Sequence, residues 1–334
     1  MSQVEALADV RYATPGELAG ALPEADVLLV WDFRSTALAA AWPAASSLRW
    51  VHAASAGVNH VLTPDVVASD VVVTNSRGVF DEPMAEYVLG LALALAKDLP
   101  TTFAYQRERR WRHRETERLG GRHALVAGTG PIGRAIGRKL AAVGMTVTGL
   151  GRVARAEDPD LGSVLPMSSL SEALPEADYV VLAAPLTDET RGMIDAKAVA
   201  AMKPTARLIN VGRGPLVVQE DLVEALGAGR LGGAALDVFV DEPLPTASPL
   251  WSLPNVIVSP HMSGDVVGWR AELVALFVDN LSRYLEGRPL RNVVDKARGY
   301  VSGSDGAGAV WTEERAEAGE ERAGRARDEG RRRL

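Results

Sequence analysis

The sequence predicts an α/β protein built on doubly wound parallel sheets, and three observations carry that prediction. Short apolar runs alternate with helical patterns along most of the chain. One run leads straight into a tight glycine turn that opens a helix. The polar residues suited to chemistry cluster just after the later runs. Strands that alternate with helices pair in parallel, and the crossover helices cover the sheet faces.

In order, residues 25–31 (ADVLLVW), 48–52 (LRWVH) and 71–74 (VVVT) read as buried strands. Residues 14–22 and 35–44 read as helices, the first with Thr14 as N-cap and Pro15 at its first position. Residues 83–97 make a long helix that is apolar on most sides and so belongs in a buried layer. An Arg-rich helix over 101–114 follows, ending near Trp111, and this pair reads as the crossing into a second domain. That domain runs in βα units, with strands expected at 123–127, 145–150, 178–183, 206–211, 234–238 and 255–259. A helix over 270–286 is expected to return to the first domain and complete it. The predicted organisation is therefore 1–97 with 268–296 as one discontinuous domain and 98–267 as the other. From 297 to 334 Gly, Ala, Glu and Arg dominate, and bulky apolar residues such as Val310 and Trp311 are few. Such a segment buries too little surface to offset its chain entropy, so a disordered or loosely helical tail is expected.

Composition narrows the function. At 334 residues and 47% hydrophobic, the chain has room for two ordinary domains. A net charge of −7 makes no electrostatic case for nucleic acid or an anionic membrane. There is no cysteine, which excludes disulfides, thiolate metal sites and cysteine nucleophiles and fits a reducing cytoplasm. No metal site is expected. The N-terminus lacks a basic region followed by an apolar core, so no signal peptide is read, and residues 88–96 are too short to span a bilayer.

The stretch HALVAGTGPIG, His123 to Gly133, is a strand, a glycine turn and a helix start. In that context G-x-G-x-x-G is a dinucleotide fingerprint. Gly128 makes the turn, Gly130 lets backbone approach a pyrophosphate, and Gly133 lets helix pack close on strand. The N–H groups at the helix start, with Pro131 and Ile132 leading it, then face the phosphates. A chain with 32 glycines also produces such spacings by chance, so the context carries the weight.

Ligands of doubly wound sheets sit beyond the carboxyl ends of the strands. Three candidates fall there: Arg213 after the fourth strand of this domain, Glu242 after the fifth and His261 after the sixth. An imidazole exchanges a proton near neutral pH, and a carboxylate beside it holds its tautomer. A guanidinium grips a carboxylate through two hydrogen bonds. With a nicotinamide, this set suits interconversion of a 2-oxo acid and a 2-hydroxy acid. Taken singly, each has a plainer reading: a packing histidine, a surface arginine between glycines, a loop glutamate before proline. Their joint placement argues for chemistry. His52 and His60 flank another glycine loop and read as packing or lining residues, and His113 and His123 sit at a helix end and a strand start.

These residues lie in a set of motifs: Ser55-Ala56-Gly57-Val58-Asn59, Ala85-Glu86, the glycine turn, Pro185-Leu186-Thr187 with Thr190-Arg191-Gly192, and Met202-Lys203-Pro204. Asn210-Val211-Gly212-Arg213-Gly214, Leu236-Asp237-Val238 through Glu242-Pro243, and Ser259-Pro260-His261 complete it. Over roughly residues 20 to 295 the chain resembles the D-isomer-specific 2-hydroxyacid dehydrogenases, especially their glyoxylate/hydroxypyruvate reductase branch. The resemblance implies two Rossmann-like doubly wound parallel-sheet domains with a cleft between them, a homodimer, and a cytoplasmic enzyme. It implies that Arg213 orients the 2-oxo acid, that His261 is the acid/base, and that Glu242 pairs with it. It further implies that backbone N–H groups at Ala56 and Gly57 bind the substrate carboxylate. Asp237 would contact the nicotinamide carboxamide, with Pro185, Val211, Gly212 and Ser263 also lining the cofactor. Formate dehydrogenases resemble the chain less, because Pro260 stands where they carry glutamine. The alternative within the resemblance is a non-catalytic, nucleotide-sensing binding protein of the corepressor type.

An NAD site usually places an acid at the end of the second strand, about 20 residues past the glycines. Here that strand ends Gly149-Leu150-Gly151-Arg152. An Arg there pairs with a 2′-phosphate, so NADP(H) is the expected cofactor, with NAD(H) left open through Glu157 and Asp158. Trp31, Phe80, Trp251 and Met262 are the candidates for sensing the substrate side chain.

Overall fold

The structure, a computed structural model, describes residues 1–302. Two compact units divide it: Met1–Val79 with the segment from Val267 onward, and Phe80–Val266. The sequence reading ended the first segment at 97. The helix Asp81–Ala96 instead packs on the helix Pro131–Ala142 and on strands of the second unit, because its buried stripe, Ala85, Val88, Leu91, Ala92 and Ala96, lies in that unit's core.

In the first unit β1 (Val27–Val30), β2 (Trp50–Ala53) and β3 (Val72–Asn75) form a parallel sheet in that order, with Leu29 opposite His52 and His52 opposite Thr74. Alternate side chains leave a strand on opposite faces. Val51, Ala53 and Val73 enter one core with Leu38, Ala41 and Val66, while Trp50 enters another with Phe277 and Leu281. The helix Trp269–Leu285 supplies that second layer, as the returning-helix expectation required. Local details differ from expectation. The first helix is only Leu18–Ala21, because Thr14 does not cap it: Thr14 donates its N–H and hydroxyl to the Glu17 carboxylate and holds a turn instead. The helix expected over 35–44 is Ala37–Ala41 followed by a 3-10 turn containing Pro43. Residues 297–302 are not tail-like: Asp295 bridges Tyr300, and Val301 packs on the core. The remainder of the predicted tail, 303–334, lies outside the described residues.

The second unit carries, among the described residues, an eight-stranded sheet. Its strands are β4 (His123–Ala127), β5 (Thr146–Gly151), β6 (Arg155–Asp158), β7 (Gly162–Pro166), β8 (Tyr179–Leu182), β9 (Arg207–Asn210), β10 (Gly233–Leu236) and β11 (Val256–Val258). The order is β11-β10-β9-β8-β4-β5-β7-β6, parallel throughout except for β6 against β7. Leu125, Val180, Leu182 and Leu208 fall into one core, and Ala124, Val126, Val181 and Ile209 into the other, so both faces are covered. β6 and β7 were not expected. β6 is an exposed, charged edge with no apolar run to betray it. The helix expected over 101–114 stops at Arg107, and Arg109 takes a left-handed backbone. No helix among the described residues is long and apolar enough to cross a membrane.

Candidate active site

The sheet order reverses at β4, with β5 on one side and β8 on the other. A crevice forms at such a point, beyond the strand ends. Gly128 leaves β4 at φ +113°, and a Cβ there would stand 2.5 Å from the Ala183 carbonyl oxygen. At Gly133 a Cβ would stand 1.8 Å from the Gly128 oxygen, so the helix Pro131–Ala142 packs this close only on glycine. Gly130, at the N-cap, faces open space where its Cβ would be. The first N–H groups of the helix have no partner within it. A cradle of this shape and polarity fits a pyrophosphate.

The end of β5 meets the same turn: a Cβ on Gly151 would lie 2.6 Å from Thr129 Oγ1. Arg152 follows directly and is exposed. Asp158 is removed from the candidates for the ribose. Its side chain is 1% exposed and takes both Arg134 Nη atoms, at 2.9 and 2.8 Å. Burial raises the Asp158 pKa, but Arg134 and the N–H groups of Asp160 and Leu161 more than reverse this and hold it below the usual carboxylate range.

Arg213, Glu242 and His261 come together in the second unit. A Cβ on Gly214 would stand 1.9 Å from the Phe239 carbonyl carbon, so the loops after β9 and β10 touch only because residue 214 is glycine. That contact brings Arg213 within the field of Glu242: desolvation pushes the guanidinium's pKa down, and the Glu242 charge opposes this in part. Arg213 is half-buried and donates from Nη1 to Gly212 O at 2.7 Å. Val211 donates to Leu182 O, and Gly212 to Asn210 Oδ1, pinning the turn after β9. Pro185 accepts from the Thr190 hydroxyl at 2.7 Å.

His261 Nδ1 lies 2.7 Å from Glu242 Oε2, and Phe239 N–H donates to Oε1 at 2.9 Å. Burial pushes the Glu242 carboxyl up. The hydrogen bonds from His261 and Phe239, with the charges of His261 and Arg213, outweigh that and keep it below its usual value. His261 has φ +54°, a backbone region a histidine seldom takes, costing about 1 kcal/mol or more. Asp237 holds it there. One of its oxygens accepts from Met262 N–H at 2.9 Å and from the Ser259 hydroxyl, and the other accepts from Ser263 N–H at 2.9 Å. Tyr87 Oη lies 2.7 Å from that same Ser259 Oγ. The sequence reading missed Tyr87 and Ser259, since no spacing signals a hydroxyl pair 172 residues apart.

In the first unit the loop after β2 carries Ala56 and Gly57. Its carbonyls are tied by neighbours: Ser55 O by Ser76 N–H at 3.0 Å, Ala56 O by Asn75 Nδ2 at 2.6 Å, Gly57 O by Ser55 Oγ at 2.7 Å. Among the described residues, the N–H groups of Ala56 and Gly57 make no hydrogen bond. Of the four side-chain sensors, Phe80 is buried against Gly264, Trp251 is exposed and bonded to Pro245 O, and Trp31 and Met262 are exposed.

Residues 89–263 match the family described as D-isomer specific 2-hydroxyacid dehydrogenase, NAD binding domain. A glyoxylate reductase of Korarchaeum cryptofilum is 33% identical over 76% of this chain and 78% of its own. Among solved structures, a D-isomer specific 2-hydroxyacid dehydrogenase family protein of Aeromonas salmonicida superposes with TM-score 0.76 at 35% identity, covering 86% of this chain and 90% of that one. An NADPH-dependent glyoxylate/hydroxypyruvate reductase of Sinorhizobium meliloti, in complex with NADP and sulfate, superposes with TM-score 0.77 at 31% identity, over 90% and 95% of the two chains.

Proposed function

The chain belongs to the D-isomer specific 2-hydroxyacid dehydrogenases and is an oxidoreductase using a nicotinamide cofactor; from that premise we propose that it reduces a small 2-oxo acid of the glyoxylate or hydroxypyruvate type to the D-2-hydroxy acid, preferring NADPH. The observation that carries the proposal is the bonded pair Glu242–His261 with Arg213 beside it, at the carboxyl ends of β9 to β11. When bound, a reduced nicotinamide supplies the hydride to the carbonyl carbon. The residues of the chain do the rest. Arg213 orients the 2-oxo acid by paired hydrogen bonds. With its Nδ1 proton committed to Glu242, His261 gives a proton from Nε2 to the carbonyl oxygen, which becomes the hydroxyl of the product. Glu242 holds the ring's tautomer and orientation for that transfer. Ala56 and Gly57 N–H groups donate to the substrate carboxylate, a role that suits donors without partners.

Gly128, Gly130, Pro131, Ile132 and Gly133 hold the pyrophosphate, while Pro185, Val211, Gly212, Asp237 and Ser263 line the nicotinamide side. The NADPH preference rests on Arg152, and on Asp158 being spent on Arg134. The Sinorhizobium meliloti relative, which binds NADP, supports it. A cytoplasmic homodimer belongs to the same reading, and light scattering at twice the chain mass would check the assembly.

The test is oxidation of NADPH and NADH against a panel of 2-oxo acids. NADPH should lead in kcat/KM, and Arg152→Ala should erase most of that lead. Equal use of both cofactors, unmoved by the substitution, would overturn the preference. Cofactor binding without turnover of any 2-oxo acid would overturn the reductase reading in favour of a nucleotide sensor.

A further inference from the structure

Behind the loop that carries Ala56 and Gly57 lies a buried row of polar side chains: Trp50, Thr74, His52 and Ser76. Their protons can be assigned by counting. Ser76 Oγ donates its one proton to Ala53 O at 3.1 Å, so the ring nitrogen facing it, His52 Nε2 at 3.2 Å, must be the donor to Ser76. His52 Nδ1 is then the acceptor, and Thr74 Oγ1 at 2.7 Å gives it a proton. Thr74 in turn accepts from Trp50 Nε1 at 2.8 Å. Each proton is used once and in one direction, from Trp50 through Thr74, His52 and Ser76 to Ala53. The order requires a neutral ring protonated on Nε2. A charged ring would aim a second N–H at Thr74 and strand the threonine proton.

The surroundings enforce neutrality. His52 is fully buried, and the groups that touch its ring, Trp50, Phe277, Thr74 and Ser76, carry no charge. Burial pushes its pKa down to about 3. The row ends on Ala53 O, at the end of β2 where the substrate loop begins. Ser76 Oγ holds Ala53 O, Ser76 N–H holds Ser55 O, and Asn75 Nδ2 holds Ala56 O. With its carbonyls turned to these donors, the loop keeps the N–H groups of Ala56 and Gly57 unspent.

We propose that His52 is a positioning residue for the substrate carboxylate: as a fixed, neutral Nε2–H donor it orients Ser76, and through Ser76 and Asn75 it holds the loop so that Ala56 and Gly57 present N–H groups to a 2-oxo acid. The proposal rests on the reductase reading and adds to it a residue that touches neither substrate nor cofactor.

The test is steady-state kinetics on the full-length chain with glyoxylate and hydroxypyruvate at saturating NADPH, with oxalate as a competing dicarboxylate. His52→Leu should raise KM for the 2-oxo acid and Ki for oxalate together by about tenfold, the effect of weakening one charge-assisted hydrogen bond. KM for NADPH and the shape of the kcat pH profile should not move. His52→Gln, whose amide can donate from the place of Nε2, should restore both constants. Ki does not depend on the fraction of active enzyme, so poor folding cannot imitate the result. Should His52→Leu fail to fold, Ser76→Ala and Asn75→Ala must show the same rise. An active wild type with KM and Ki unmoved in these variants, or a glutamine no better than leucine, overturns the proposal alone. A wild type that reduces no 2-oxo acid overturns the reductase reading, and this proposal with it.

Discussion

His52 and His261 both follow parallel strands or lie within them, and both are hydrogen bonded through Nδ1, yet they are opposites chemically. His261 faces the Glu242 carboxylate at 2.7 Å and its side chain is 25% exposed. His52 faces the Thr74 hydroxyl at the same distance and is 0% exposed. A carboxylate at Nδ1 fixes the tautomer and orientation of a ring that solvent can reach. A hydroxyl at Nδ1 of a fully buried ring favours one neutral tautomer. The comparison teaches that the partner's charge and the depth of burial decide whether an imidazole is an acid or a strut; the residue type does not.

The sharpest way to break this contrast is to delete each ring in turn. His261→Asn should lower kcat by about a thousandfold, the usual worth of a placed acid/base, with cofactor affinity preserved. His52→Gln should leave kcat near wild type. Comparable losses at the two positions, measured in single-turnover reactions, would erase the distinction.

Acid should separate the histidines next. The ordinary value for His52 is 6.5, and in the folded chain it lies near 3. Below the ordinary value the unfolded chain binds a proton that the folded chain refuses, so stability falls as pH falls, by about 1.4 kcal/mol per unit at most within that window. Glu242, Asp158 and Asp178, whose pKa values are held low in the fold, add a further loss only once pH drops below about 4. Urea unfolding of wild type and His52→Gln at pH 7, 6 and 5 tests this. The wild type should weaken over the range and the variant should be flatter; parallel curves would show that His52 does not titrate on unfolding.

The smallest effect should come from the partner at 261. Glu242→Gln keeps a hydrogen bond but removes the charge. It should lower kcat/KM for reduction by about tenfold near neutrality. An unchanged kcat/KM would mean that a hydrogen bond at residue 242 is enough and its charge plays no part.

Much of this was legible in the residue order. Leu125 and Ala127 against Ala124 and Val126 announce a strand with two buried faces, and the turn behind them requires glycine, since a Cβ would stand 2.5 Å from a carbonyl oxygen at Gly128 and 1.8 Å from one at Gly133. Arg213, Glu242 and His261 could be named because each follows an apolar run, where a parallel sheet collects its ligands. β6 could not, because Arg155 and Glu157 on an exposed edge carry no apolar period. Nor could the boundary at Val79, since the apolar character of Asp81–Ala96 does not say which core it joins.

By itself, then, the order of residues determined most of the strands, the turns that only glycine can make, and the placing of Arg213, Glu242 and His261 after their strands, because these depend on local sterics and on the period of apolar side chains. Only the tertiary structure decided that Asp158 is spent on Arg134, that Tyr87 and Ser259 brace Asp237, and that His52 is held between Thr74 and Ser76. Each of those facts is a pairing between segments distant in sequence, and a donor's choice of acceptor exists only once the chain has closed around both.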